Sequence, residues 1–244
     1  MSEQRDLEGV TALVTGATSG IGKAAAVQLG RHGADVIVHG RDAARGGAVA
    51  GVITAEGGTA RFAAADLGDP AQLSNLAGQA GSADVLVNNA GFSWVGPTAE
   101  LDVATFDRLY AANVRAPYFL VAALAPKMAA RGNGSIINVG SQSGQIGMPG
   151  LAADSATKGA LAALTRSWAA EFSPAGVRIN TVVPGPVYTA IRPDSVTEAV
   201  GATTLMARAA QPDEIASVIV FLASPAASYI TGAVFAADGG RTAI

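Results

Sequence analysis

Short runs of β-branched and aliphatic residues alternate with longer Ala-rich stretches along the chain. The runs fall at 10–14, 35–39, 61–65, 84–88, 135–139, 178–183 and 234–236, and each is close to continuously apolar. Strands of that kind are covered on both faces, as in a parallel sheet. The stretches between them predict helices over 21–32, 43–55, 70–80, 102–131, 153–172 and 212–222. Asp69 and Pro70 read as an N-cap followed by proline at the first helical position. Gln211, Pro212, Asp213 and Glu214 open the last helix with acid in its first turn. Strands alternating with helices make an α/β domain with a doubly wound, seven-stranded parallel sheet and helices on both faces. Residues 185–210 have no clear period and contain Pro186 and Pro193 just after Pro184, so they are expected to form a mobile lid over the mouth of the sheet.

With 244 residues, half of them apolar, the chain has enough material for one such domain spanning 1–244. Lys+Arg number 16 against Asp+Glu 19, so no basic field exists to hold a nucleic acid or an anionic membrane, and a small molecule is the expected partner. The absence of cysteine excludes disulfides, thiolate nucleophiles and cysteine metal sites. His32 and His39 lack the clustered partners of a zinc site and are expected to be solvated or loosely packed. The polar stretch 1–8 has no apolar leader, and no apolar span is long enough to cross a bilayer, so the expected location is cytoplasmic.

Candidate chemistry begins after the first strand, which runs into Thr15-Gly16-Ala17-Thr18-Ser19-Gly20-Ile21-Gly22 and then a helix. Glycines there allow a tight turn and the approach of a pyrophosphate to the helix N-terminus, where free N–H groups favour negative charge. The spacing is Gly-x-x-x-Gly-x-Gly. The second strand ends in His39-Gly40-Arg41, where an acidic residue would bond a ribose 2′-hydroxyl. A guanidinium instead suits a 2′-phosphate, so NADP(H) is expected over NAD(H). The alternative is that Arg41 is a solvated residue before a helix capped by Asp42.

Further segments follow in order: Asp66-Leu67, Asn88-Asn89-Ala90-Gly91, Asn113-Val114, Ser141, Lys158-Gly159, Pro184-Gly185 with Thr189, and Asp238-Gly239-Gly240. With the glycine turn they make the chain resemble the short-chain dehydrogenase/reductase family, Rossmann-fold NAD(P)-dependent oxidoreductases, over nearly its whole length. The resemblance implies that Gly16, Thr18, Ser19, Gly20, Ile21 and Gly22 hold the cofactor phosphates, and that Asp66 and Leu67 line the adenine. It implies that Asn89, Ala90 and Gly91 lie beside the cofactor, and that Pro184, Gly185, Val187 and Thr189 flank the nicotinamide carboxamide. It also implies a homotetramer, which the many small apolar residues of the two long helices favour.

In that family four residues carry the chemistry: an asparagine, a serine, and a tyrosine and lysine one turn apart. Asn113, Ser141 and Lys158 match, but the tyrosine position holds Asp154. Lys158 is also expected to hold the nicotinamide ribose, Ser141 to polarise a substrate oxygen or nitrogen, and Asn113 to hold a water or a helix carbonyl in a proton path. A phenol titrates near ~10 and a carboxylic acid near ~4, so one cationic neighbour brings the first towards neutrality and carries the second further from it. An ionised carboxylate accepts hydrogen bonds and donates none.

Three readings follow. The first is an oxidoreductase acting on an imine or iminium, whose charge a carboxylate stabilises. The second is a carbonyl reductase slowed or disabled by the change, and the third a cofactor-binding protein without turnover. Phe92, Trp94, Gln142, Gln145, Met148 and Tyr188 are expected to shape an uncharged, partly aromatic substrate pocket.

Overall fold

The computed structural model describes residues 6–81 and 83–243, so the N-terminal stretch read above lies outside it as far as Arg5. Seven strands, β1 (Thr11–Val14), β2 (Asp35–Gly40), β3 (Thr59–Ala64), β4 (Val85–Asn88), β5 (Gly134–Val139), β6 (Val177–Pro184) and β7 (Val234–Ala237), form one sheet in the order β3-β2-β1-β4-β5-β6-β7. Every neighbouring pair is parallel. The helices are α1 (Gly20–Arg31), α2 (Ala43–Ala55), α3 (Pro70–Gln79), α4 (Val103–Tyr110), α5 (Ala116–Arg131), α6 (Ala152–Phe172), α7 (Asp194–Gly201) and α8 (Pro212–Ala223).

Strand side chains alternate between two cores. Ala12, Val14, Val36, Val38, Val85 and Val87 pack with residues of α1, α2 and α8 on one face. Leu13, Ile37, Leu86 and Ile136 pack with residues of α3, α5 and α6 on the other. This double burial is the doubly wound, single-domain Rossmann arrangement that the continuous apolar runs imply. The reversal of strand order between β1 and β4 opens a crevice at the carboxyl ends of the strands. The expected caps form: Asp69 accepts from Ala71 N at 2.8 Å ahead of Pro70, and Gln211 and Glu214 close a capping box on α8.

Three expectations need correction. The helix expected over 102–131 is divided by a π-helical turn, Ala111–Arg115, in which Ala116 N–H bonds Ala111 O. Pro117 lacks the N–H that would continue the ladder, and the wider turn accommodates that loss. Residues 185–210 contain the helix α7, which follows Pro193 and carries Asp194 in its first turn. Their two ends are also tied together, since Ala210 N bonds Pro186 O at 2.9 Å and Tyr188 N bonds Ala210 O at 3.0 Å. Of the two histidines, His39 is not solvated or loosely packed. His32 is half-buried and pairs with Asp6 at 2.9 Å, and His39 is only 2% exposed. Among the described residues no helix is long and apolar enough to cross a membrane, and no group of three or more His, Cys, Asp or Glu side chains could hold a metal.

Candidate active site

The glycine turn is held by side chains from three strands. Thr15 Oγ1 donates to Val87 O at 3.1 Å and accepts from Asn89 N and Ala90 N at 2.9 and 3.0 Å. Asn89 Nδ2 donates back to Thr15 O at 2.9 Å and Gly16 O at 3.2 Å, which locks the end of β1 to the end of β4. Gly16 has φ +64°, a conformation that favours glycine, and a Cβ on it would stand 2.9 Å from Ala90 Cα. Ser19 occupies the N-cap of α1 without a side-chain capping bond. The first N–H groups of that helix are therefore available to an anion.

His39 completes this frame. Gly16 N–H donates to its Nδ1 at 3.2 Å, which puts the ring proton on Nε2, 3.2 Å from Ala65 O. Burial holds the ring's pKa below its ordinary value, opposed by the Ala65 carbonyl and the charge of Asp66. Because its partners are backbone atoms after β1 and β3, the histidine ties the turn to both neighbours of β2. At the tip of β2, Thr18 packs so closely on Gly40 that a Cβ there would meet Thr18 Cγ2 at 2.4 Å. Arg41 is exposed, while Arg45, one turn on, is paired with Asp42 at 2.8 Å. Asp66 spends one carboxylate oxygen on Gly68 N at 2.9 Å beside buried Leu67.

Asn113 lies in the π turn and is buried. Its Nδ2 donates to Phe92 O at 3.0 Å and Thr157 Oγ1 at 3.1 Å, and its Oδ1 accepts from Phe92 N at 3.2 Å. Its amide protons thus brace the loop after β4 against α6. Lys158 Nζ donates to Val139 O at 3.1 Å. Burial lowers the lysine pKa from its ordinary value, while Asp154, one turn earlier on α6, acts in the opposite sense.

Asp154 is only 2% exposed. Its Oδ1 accepts from Ser93 Oγ at 3.0 Å and its Oδ2 from Ser143 Oγ at 2.8 Å. Ser143 Oγ also lies 3.0 Å from Ser141 Oγ. Ser93 and Ser143 did not emerge from the sequence reading. The Ser141-Gln142-Ser143 repeat after β5 was the available signal for the second.

Some of these residues border a cleft of about 980 Å³, counting its open mouth, between the strand ends and the 185–210 segment. Asn89, Gly91, Ser93, Ser141, Lys158, Pro184, Gly185, Val187 and Thr189 line it. Of the expected substrate-side residues Phe92, Gln142 and Met148 line it, whereas Tyr188 lines a neighbouring groove and Trp94 and Gln145 line neither. Arg192 reaches the cleft from the segment above, so the pocket carries a charge that was not expected.

A glycine turn between β1 and α1, the Asn88–Gly91 run after β4, and Ser141 and Lys158 meeting at one mouth of a seven-stranded parallel sheet define a class. The chain belongs to the short-chain dehydrogenase/reductase family and is an oxidoreductase of that type. Residues 16–242 match the family model described as Enoyl-(Acyl carrier protein) reductase.

Similar proteins include the galactitol 2-dehydrogenase (L-tagatose-forming) of Cereibacter sphaeroides, 39% identical over 247 residues that cover 97% of this chain and 96% of that protein. The gluconate 5-dehydrogenase of Gluconobacter oxydans is 36% identical over 245 residues, 97% of this chain and 96% of that one. Among solved structures, a short chain dehydrogenase/reductase family protein is 48% identical with a TM-score of 0.91, covering 98% of this chain and 100% of that chain. A gluconate 5-dehydrogenase from Burkholderia cenocepacia in complex with NADP and tartrate is 30% identical with a TM-score of 0.92, covering 99% of this chain and 98% of that chain.

Proposed function

We propose that the protein uses NADP(H) to reduce a small organic substrate whose reacting group is a protonated imine. The residues fit the cofactor: an uncapped helix N-terminus faces the crevice, an exposed guanidinium stands at the tip of β2, and Asp66 keeps one carboxylate oxygen free of Gly68. In this reading Gly16, Thr18, Ser19, Gly20, Ile21 and Gly22 hold the phosphates and Arg41 a 2′-phosphate. Asp66, Leu67, Asn89, Ala90 and Gly91 line the adenosine half. Lys158 bonds the nicotinamide ribose, and Pro184, Gly185, Val187 and Thr189 flank the carboxamide, with residues 185–210 as the substrate lid. Bound NADPH supplies the hydride.

The observation that carries the substrate class is the surroundings of Asp154. Both of its oxygens accept from serine hydroxyls, and its side chain does not reach the cleft to hand a proton to substrate. A ketone that gains hydride at carbon needs a proton for its oxygen, which a phenol at this position would supply. A protonated imine already carries its proton: when hydride forms the new C–H bond, the C=N π pair becomes the nitrogen lone pair of a neutral amine. Ser93, which donates to Asp154, and Ser141, which Ser143 joins to it, do line the cleft. The exposed Tyr118 and Phe119 of α5 and Val103 of α4 support a homotetramer.

A slowed carbonyl reductase is the second reading, favoured by the presence of Asn113, Ser141 and Lys158 and by relatives named as dehydrogenases. Steady-state rates on matched cyclic imines and ketones with NADPH separate the two. Imine turnover that falls in Asp154→Tyr supports the first. Ketone turnover that rises at least about a hundredfold in that variant, without imine turnover in the original protein, supports the second.

A further inference from the structure

We infer that Arg192 is a specificity-determining residue that binds a carboxylate carried by the substrate, so that the protein acts on an acid rather than on a neutral molecule. This deepens the imine reading, on which it rests for hydride transfer in this cleft: the substrate becomes a cyclic imino acid and the product an amino acid.

Charge around the cleft is one-sided. Lys158 and Arg192 line it, and among the described residues no Asp or Glu does. Lys158 already has its counterparts, since Val139 O accepts from its ammonium at 3.1 Å and Asp154, one turn earlier on α6, acts on it as an opposite charge. Arg192 has none. Other guanidinium groups are engaged within the protein, Arg31 with Glu56, Arg45 with Asp42, Arg131 with Asp84 and Arg208 with Glu214. Arg192 has no hydrogen-bond or ion-pair partner among the described residues. Asp194, at the start of α7, and Asp213 line the neighbouring groove and not the cleft.

The position of Arg192 is fixed on both sides. It is half-buried, follows the bond from Tyr188 N to Ala210 O at 3.0 Å, and precedes α7, whose Thr197 and Val200 line the same cleft. Ser93, Ser141 and Met148 line it as well, so Arg192 and the substrate-side residues share one cavity. A guanidinium offers a carboxylate two parallel N–H groups, and a cleft lined by one sign of charge concentrates the attraction. A bare iminium entering beside an unpaired guanidinium meets like charge. A carboxylate on the same molecule cancels the net charge and gives Arg192 its partner. On reduction the carbon gains hydride, the C=N π pair becomes the nitrogen lone pair, and the carboxylate is unchanged.

Arg192 also borders the groove lined by Gly20 and Lys23, so the cofactor diphosphate is the competing anion. In the reading above that group is served by the uncapped N-terminus of α1.

The test is calorimetric binding to the full chain, with a carboxylate and its carboxamide in each of two series. Piperidine-2-carboxylate and piperidine-2-carboxamide are titrated into NADPH-loaded protein, and 3-oxocyclohexanecarboxylate and its carboxamide into NADP⁺-loaded protein. In at least one series the carboxylate is expected to bind more tightly than the carboxamide by about tenfold or more. Arg192→Gln should remove that advantage and leave carboxamide and NADPH affinities within about twofold, while Arg192→Lys should keep part of it, because the charge remains and the fork is lost. Carboxylates that bind no better than carboxamides in both series, or not at all, overturn the inference. So does an advantage that survives Arg192→Gln, or a loss that falls on NADPH, which would assign Arg192 to the cofactor diphosphate.

A carboxylate advantage in the ketone series alone, without imine turnover, would remove the proposed function and leave Arg192 its carboxylate. Imine turnover without any carboxylate advantage would do the reverse.

Discussion

Replacing Gly22 by alanine tests whether the phosphate turn depends on the bond between β1 and β4. A Cβ at Gly22 would stand 2.3 Å from Asn89 Nδ2 and 2.4 Å from Gly16 O, where ordinary van der Waals contact begins at 3.4 Å. Something must therefore move by about an ångström, and the two atoms concerned are bonded to each other at 3.2 Å. Displacing Asn89 also threatens its bond to Thr15 O at 2.9 Å. Two hydrogen bonds at ~0.5–1.5 kcal/mol each, with overpacking at ~1–3 kcal/mol, give an expected loss of about 2–6 kcal/mol.

The control is Gly47→Ala in α2, where a Cβ meets nothing within 4 Å. Helix propensity there is expected to add ~0.5–1 kcal/mol. Urea unfolding measures both variants. Calorimetric titration with NADPH should show Gly22→Ala weakened by about tenfold or more, since the N–H groups of the turn move with Gly16. A Gly22→Ala protein with an unchanged unfolding midpoint and unchanged NADPH affinity would refute the role given to this close approach.

Arg41→Ala is expected to weaken NADPH binding by about tenfold and NADH binding by less than about twofold, a modest charge-assisted loss because the guanidinium is exposed; equal losses for both cofactors would oppose a 2′-phosphate contact. His39 links stability to pH. Its folded pKa lies below the unfolded value of 6.5, so the neutral ring contributes fully above that value, and stability is lost as pH falls below it. Urea midpoints measured between about pH 5 and 8 should fall on the acid side, and His39→Gln should flatten that slope.

The strands were legible because a parallel sheet covered on both faces shows itself in continuous apolar runs such as 135–139. Helix caps were legible for a related reason: Asp69 and Pro70 act on atoms two or three residues away. Apart from one short helix, what escaped depended on partners elsewhere along the chain. The helix α7 is eight residues long and lies among prolines, where breakers obscure a short amphipathic period. His39 carries no local sign of its task, since Gly16 N and Ala65 O converge on it only once β2 lies between β1 and β3. Ser93 reaches Asp154 across 61 positions and Ser143 across 11, so neither bond belongs to a local motif.

The candidate site was thus legible as a set of residue types before it was legible as chemistry. Asn113, Ser141 and Lys158 could be placed from the family resemblance, which implies a role for each. Hydrogen-bond direction is not written in those identities. Ser141 accepts from both Oγ and N of Ser143, and Ser143 and Ser93 both stand against Asp154, contacts that only the packing of α6 on the loops after β4 and β5 creates. A hydroxyl turned the wrong way costs a ligand about one hydrogen bond, ~0.5–1.5 kcal/mol, and an orphaned buried partner raises that to ~1–3 kcal/mol. Differences of that size separate substrates by about tenfold to a hundredfold.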